Sequence, residues 1–381
     1  MNKHIKIIRG VTVSRSVGFF TGLIPELREL GCEVVAVSSD GPELSRVSEA
    51  GGRVVTVEME RHISPLKDLK SLWRMTRVLR KEKPDMVHSM TPKAGLICMM
   101  AGKLAGVPVR VHTFTGLVFP TSIGLKRRIL MATDWLTCAC ATHVIPEGEG
   151  VKRDLLDNGI TKKPIKVLGY GNCRGIDLER FSRSEEVMAK AEEIKDPSVF
   201  TFISIGRLVG DKGINEMVAA FSRLNKENPA TRLILVGAYE PDLDPIKPET
   251  QKEIENNPAI QAVGVQRDVR PWLAASDCAV LASYREGFPN VVIEAGAMGL
   301  PQIVTDINGA NEIIIDGKNG TIIPSKDTEA LYRAMKRFTE NPEMIKSMAG
   351  EARALIASRY EQGYVRQCLK NFYKEILPKL R

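Results

Sequence analysis

Short apolar runs rich in Val and Ile alternate with helix-period segments along nearly the whole chain, and the alternation stops once and then restarts. In the first half the strand-like runs are 5–13, 33–39, 53–59, 86–90, 109–115, 142–145 and 165–168, with helical patterns between them such as 18–30 and 66–82. A repeat of roughly 25 residues has room for a strand and a crossover helix, so the strands are predicted to be parallel. Residues 181–198 (FSRSEEVMAKAEEIKDPS) are polar and lack such a run, which places a linker near 171–198. Strands are then predicted at 200–205, 231–236, 259–264, 278–282, 302–306 and 321–324, and Ile214, Met217, Val218 and Phe221 recur at helical spacing. With 381 residues, more than one core usually serves, the predicted fold class is α/β with two Rossmann-like domains facing a cleft. The domains are 1–175 and 198–359, with a last helix at about 360–381 packing back on the first. In such a doubled plan the ligand is expected in the cleft, at the carboxyl ends of the strands.

Composition narrows the class. Apolar residues make up 43% of the chain and charged residues 26%, which is ordinary for a folded soluble protein. The seven cysteines (Cys32, Cys98, Cys138, Cys140, Cys173, Cys278 and Cys368) are odd in number and scattered, with no Cys-x-x-Cys pair. Neither a disulfide framework nor a structural zinc site is expected, and a reducing cytoplasm fits best. The start, MNKHIKIIRGVTV, has no long apolar core or small-residue cleavage site, and the most apolar window, 129–145, is interrupted by Asp134. The expected location is cytoplasmic, soluble or peripheral at the inner membrane face. Residues 1–170 hold 26 Lys/Arg against 16 Asp/Glu, whereas 171–381 hold 28 against 30. The first half therefore either faces something anionic or is simply solvated.

The most informative segment is SYREGFPNVVIEAGAMGLP. A buried strand, CAVLAS, precedes it, and a helix is predicted from Pro289 or Asn290. Glu286 then lies on the loop leaving the strand, Gly287 permits close approach of a ligand, and Glu294 shares a helix face with Asn290. The helix start offers free N–H groups and a positive dipole end to a phosphate. The two carboxylates flank that place and suit paired sugar hydroxyls. The plainer reading is a loop charge and a surface helix charge. A second segment, SIGRLVGDKGINEM, puts Arg207 and Lys212 on the loop after another strand, where Gly206, Gly210 and Gly213 let the backbone bend. Two cations there can neutralise a diphosphate without a metal; the alternative is a basic turn paired to Asp211.

Together these segments resemble the family-four retaining glycosyltransferases of GT-B architecture. The pattern Gly-Arg-Leu…Lys-Gly stands as Gly206-Arg207-Leu208…Lys212-Gly213, and its paired glutamates stand as Glu286 and Glu294. The likeness runs on through LPQIVTDINGANEIIIDGKNGTIIP, with Gly309 and Glu312, and is strong over about 200–325. It implies that Arg207 and Lys212 hold the donor diphosphate, that Glu286 touches the donor sugar and that Glu294 binds the ribose. It also implies that the backbone of Phe288, Pro289 and Asn290 meets sugar or phosphate, and that Gly264 and Val265 lie near the base. His112, in VHTFTGLVF, would contact the donor sugar; a hydrogen-bonded strand histidine is the alternative. The implied chemistry is front-face substitution with retention, in which the leaving phosphate helps deprotonate the acceptor. No cofactor and no metal are implied, and the donor, most commonly a UDP-hexose or UDP-N-acetylhexosamine, is a substrate.

His88 and Lys93, in VHSMTPKAGL, resemble members acting on lipid-linked or phosphorylated acceptors. Two departures from the pattern stand out. The first strand-helix loop, SRSVGFF, has the single glycine Gly18 where a Gly-Gly pair is common, though Gly18 can still approach the phosphates. The domain-link motif, commonly Gly-x-x-x-Asn-Gly-Val-Asp, stands here as Gly171-Asn172-Cys173-Arg174-Gly175-Ile176-Asp177. His4, His62 and His143 read as incidental. Asp242-Leu243-Asp244 looks like a divalent-metal motif but is flanked by prolines, and a solvated turn is expected there. Lys67, Lys70, Arg74, Arg77 and Lys81 form one helical stripe beside Leu69, Leu72 and Trp73, and Lys126, Arg127 and Arg128 form a second basic group. Such faces either lie on anionic lipid or are solvated. Partners are then a nucleotide sugar, a glycan or polyprenyl-diphosphate-linked acceptor and an anionic inner membrane; no nucleic-acid module is present. A dehydrogenase is excluded by the missing Gly-x-Gly-x-x-Gly turn. A UDP-sugar epimerase of the same plan and a non-catalytic nucleotide-sugar sensor stay open as alternatives.

Overall fold

The computed structural model describes residues 5–60, 62, 64–240 and 244–377. The chain divides into two compact units, Met1–Gly175 with Gly363–Arg381, and Ile176–Gln362. The fold is α/β, and each unit holds one six-stranded parallel sheet.

In the first unit the strands are β1 (Ile5–Gly10), β2 (Cys32–Ser38), β3 (Arg53–Thr56), β4 (Met86–Met90), β5 (Val109–Phe114) and β6 (His143–Pro146), in the spatial order β3-β2-β1-β4-β5-β6. Successive side chains on a strand point to opposite faces. Ile8, Val35 and Val87 accordingly enter a core with Met75, Leu79, Ile97, Cys98 and Cys138 of the helices Pro65–Glu82, Pro92–Leu104 and Gly124–Cys140. Their neighbours Ile7, Val34 and Met86 enter the opposite core, with Ile24, Leu27 and, from the helix Gln362–Ile376, Tyr373.

The second unit repeats the plan with β7 (Phe200–Ile205), β8 (Thr231–Val236), β9 (Ile260–Ala262), β10 (Cys278–Leu281), β11 (Gln302–Thr305) and β12 (Gly320–Ile323), ordered β12-β11-β10-β7-β8-β9. Central strands of such a sheet are covered on both faces, and every residue of β8 and β10 is buried. In both sheets the chain builds outward from one strand, then jumps across it and builds the other way. The crossover points lie between β1 and β4 and between β7 and β10. The carboxyl edge at such a crossover point is where doubly wound sheets take their ligands.

Two expectations are corrected. Residues 165–168 form no strand. Their apolar side chains are used all the same: Val167 is buried, Ile165 packs on one core of the first unit and Leu168 on the other. Alternation reports burial, and here no neighbouring strand supplies a ladder. The region taken as linker contains the helix Glu185–Ile194, whose Val187 and Ala191 are buried in the second unit's core. Its start is capped by the Ser184 hydroxyl, which accepts from the Val187 amide.

Candidate functional site

The two informative loops of the second unit leave β7 and β10, the strands that flank its crossover point. They are fastened to each other by backbone. Gly213 has φ of +68°, and a Cβ there would stand 2.0 Å from the Ala282 carbonyl oxygen. Glycine is therefore required twice over, by conformation and by space. The Tyr284 amide donates to the Asp211 carbonyl at 2.9 Å, and the Arg285 guanidinium pairs with the Asp211 carboxylate at 3.1 Å. The β7 loop is further pinned by Asp244, whose carboxylate accepts from the Asp211 amide at 2.6 Å.

On this frame the Lys212 ammonium pairs with the Glu286 carboxylate. Glu286 also accepts from the Ser283 hydroxyl at 3.0 Å, and Ser283 is fully buried. One of three ammonium N–H groups is thus committed, and the lysine stem is held at a fixed place. Arg207 is partly exposed, pairs with Glu240 at 3.1 Å and lies 4.0 Å from Asp211. The arrangement presents two cations on the loops that leave the carboxyl ends of β7 and β10, each steered by a carboxylate.

The Phe288 side chain is in the core, edge-on to Tyr360 with ring centroids 5.6 Å apart, so only its backbone is available to a ligand. Pro289 caps the helix Asn290–Ala297, and Glu294 is half-buried just past its first turn. Gly309, at φ +76°, packs so closely that a Cβ would lie 2.6 Å from the Gly287 carbonyl oxygen. A third loop therefore braces Gly287–Pro289. Beyond β9, Gly264 has φ of +68° and its carbonyl accepts from the Gly237 amide at 2.9 Å. Val265 next to it is 71% exposed, an apolar residue left for a partner.

In the first unit His88 and His112 lie on the adjacent strands β4 and β5, and Lys93 lies in the first turn of the helix after β4. His112 is buried on β5, within 2.9 Å of the Ser89 hydroxyl and edge-on to Phe114. Burial pushes its pKa down to about 3, so the ring is neutral and can exchange hydrogen bonds but brings no charge. A Cβ at Gly95 would come within 2.4 Å of that ring. His88 is buried too. Its Nδ1 lies 2.6 Å from the Tyr373 hydroxyl and 3.2 Å from the Arg9 guanidinium, and its Nε2 lies 2.8 Å from the Thr113 hydroxyl. Burial, then the Arg9 charge, holds its pKa well below the usual histidine range. Lys93 pairs at 2.5 Å with Asp68 of the helix Pro65–Glu82. Both residues expected to meet an acceptor have partners within this unit. Gly18 is exposed within the short 3-10 helix Ser14–Phe19, and neither φ nor packing demands a glycine there.

Some members of these networks escaped the sequence reading. Arg9 and Tyr373 are 364 residues apart and signal nothing singly; Ser283 and Glu240 lie next to motifs but look ordinary. Asp242 and Leu243 fall outside the described residues. Among those described, no group of three or more His, Cys, Asp or Glu side chains is arranged to hold a metal, and no helix is long and apolar enough to cross a membrane.

Comparison with known proteins adds independent findings. The family model described as glycosyl transferases group 1 matches residues 186–355, and that of the glycosyl transferase 4-like domain matches residues 19–171. The chain is 30% identical to the capsular polysaccharide biosynthesis glycosyltransferase CapM of Staphylococcus aureus, covering 98% of both chains. It is also 30% identical to the Escherichia coli UDP-Gal:α-D-GlcNAc-diphosphoundecaprenol α-1,3-galactosyltransferase, over 74% of this chain and 73% of that one. The structure of Anabaena HepE in complex with UDP superposes with a TM-score of 0.80 at 17% identity, covering 97% of this chain and 100% of that one.

Proposed function

Because the chain belongs to the group 1 glycosyl transferases and is a glycosyltransferase of GT-B architecture, we propose that it moves a sugar, with retention, from a UDP-sugar to a lipid-linked acceptor, without a metal. The observation that carries this reading is the pair Lys212–Glu286 fixed at the β7–β10 crossover beside Arg207. A diphosphate placed there meets two cations, so no divalent ion is needed to offset its charge. Glu294 is positioned for ribose hydroxyls, Val265 for the base, and the backbone of Phe288, Pro289 and Asn290 for the sugar phosphate. Glu286, already bound to Lys212, is suited to hold a sugar hydroxyl, and neutral His112 to share a hydrogen bond with the donor sugar. Departure of the diphosphate on the face that the acceptor approaches lets a phosphate oxygen take the acceptor proton. The first unit then takes the acceptor and lies on anionic inner-membrane lipid. The lipid-linked acceptor named for the Escherichia coli relative supports that half of the reading.

The test is a melting-temperature panel of nucleotides and nucleotide sugars with a chelator present, on wild type and Glu294→Ala. A ligand at about 100 times its Kd stabilises by about 2.7 kcal/mol, which is several degrees or less at this size. A shift with one UDP-sugar that the variant loses supports the donor site. A folded protein that shifts with no nucleotide overturns it.

A further inference from the structure

An open pocket of about 560 Å³ lies at the carboxyl edge of the first unit's sheet, where the loops after β1 and β2 (at Val13 and Ser39) meet the helix Pro65–Glu82. Lys67, Lys70 and Arg74 of that helix line it, with Glu58, Glu60 and His62 from the segment after β3. The wall is anchored: Ser71 donates to the Glu58 carbonyl at 2.5 Å. Lys67 is neutralised by Glu60 at 2.6 Å, while the Glu58 carboxylate lies 3.3 Å from the Asp40 amide. Lys70 and Arg74, one turn apart, make no ion pair with any described residue. Carboxyl edges of parallel sheets are where such folds take ligands, so these two cations face a ligand position.

The same helix has a third face. Leu66, Leu69 and Trp73 are 86%, 63% and 57% exposed. At spacings of three and four they form one apolar strip directly beside the basic stripe. The Arg77 guanidinium lies 4.3 Å from the centre of the Trp73 ring, so cation and apolar surface are in contact. Exposed apolar residues contiguous with unpaired cations mark a site for an amphiphile.

We propose that this pocket takes the diphosphate of a polyprenyl-diphosphate acceptor between Lys70 and Arg74, with the first isoprene units lying on Leu66, Leu69 and Trp73. The inference rests on the proposed lipid-linked acceptor but names its residues, and it replaces His88 and Lys93 as the acceptor contacts. A flat anionic surface suits the pocket less well. The site is concave, so a planar array of headgroups meets it poorly, whereas a compact dianion can enter between Lys70 and Arg74.

Farnesyl diphosphate, titrated below its micelle concentration into the full chain, is the test ligand. UDP is present in excess to fill the donor site, and inorganic pyrophosphate and farnesol serve as separate arms. Lys70→Ala/Arg74→Ala is expected to weaken farnesyl diphosphate and pyrophosphate by about tenfold or more, leaving UDP affinity unchanged. Leu69→Ser/Trp73→Ser is expected to weaken farnesyl diphosphate alone. All four side chains are exposed, so folding is not at stake. If the basic pair leaves farnesyl diphosphate affinity unchanged, or if Lys81→Ala at the far end of the stripe costs as much, the site is disproved and attraction is diffuse. Failure of UDP to bind would strike the donor reading instead.

Discussion

The two units share a sheet plan but differ in how they can attract an anion. The first carries 32 Lys/Arg against 17 Asp/Glu, a net of +15, and the second 22 against 29, a net of −7. A net-acidic unit cannot draw a nucleotide diphosphate by its overall field. Its proposed site depends on Arg207 and Lys212, each held by a carboxylate beside loops locked by Gly213 and Gly309. The first unit instead spreads its cations over helices that also expose Leu66, Trp73, Leu125 and Trp135. Fixed charge at one point suits chemistry, because it stabilises charge where charge develops. Distributed charge suits capture of a partner over a surface.

The strongest way to break that contrast is to remove one local cation. Lys212→Ala is expected to lower transfer by roughly 10²–10³-fold, with the far-ultraviolet circular dichroism unchanged. The loss should be the same at 50 and 300 mM salt, since a half-buried pair is weakly screened. A loss that salt reproduces in wild type would mean that the second unit also works by its field.

How legible this was depends on whether information is local. The strands β4, β7 and β8 lie at the expected residues because each is a closed apolar run between turns. The Arg207–Lys212 and Glu286–Glu294 segments were legible as loops after strands, since that order is carried by neighbouring residues. That β7 and β10 are adjacent was not, because sheet order depends on which crossover goes which way. The helix Glu185–Ile194 was missed although Val187, Ala191 and Ile194 recur at helical spacing after the capping Ser184; charge density masked the period. His88 shows the deeper limit. Its identity and strand position were readable, but its destination is set by Arg9 and by Tyr373, 285 residues away.

Salt sharpens the contrast from the first unit's side. Binding to anionic vesicles, read by co-sedimentation, should fall by roughly tenfold or more between 50 and 300 mM salt, as each interfacial Lys or Arg contributes about 1 kcal/mol within a Debye length. Lys126→Ala/Arg128→Ala should weaken it, whereas Arg127→Ala should matter less because its guanidinium already donates to Asn158 at 2.8 Å. UDP affinity should hardly move over the same range. No vesicle binding at low salt would remove the membrane half of the proposal.

Acid provides the smallest separation of the two units, and its sign can be worked out. All five histidines belong to the first unit. Burial lowers the pKa of His88, of His112 (to about 3) and of His143. A base whose folded pKa is depressed takes up its proton on unfolding, so buried His88 and His112 each remove stability as pH falls below about 6.5, by about 1.36 kcal/mol per unit, while half-exposed His143 acts in the same direction but more weakly because solvent screens it. Asp134 opposes them. Burial raises its pKa to about 7, so its folded form prefers the proton, and it restores stability as pH falls from about 7 towards 4. At least two strongly depressed histidines outweigh one carboxyl, so the first unit should weaken on going from pH 7.5 to 5.5, while the second unit holds no histidine and no buried carboxyl raised in this way among its described residues. Hydrogen exchange, corrected for its intrinsic pH dependence, should show β4 and β5 losing protection relative to β7 and β8. Asp134→Asn should raise stability at pH 8, where the carboxyl is charged, and steepen the first unit's loss on acidification. Equal loss of protection in both sheets would show that the units unfold together and that the contrast between them ends at their surfaces.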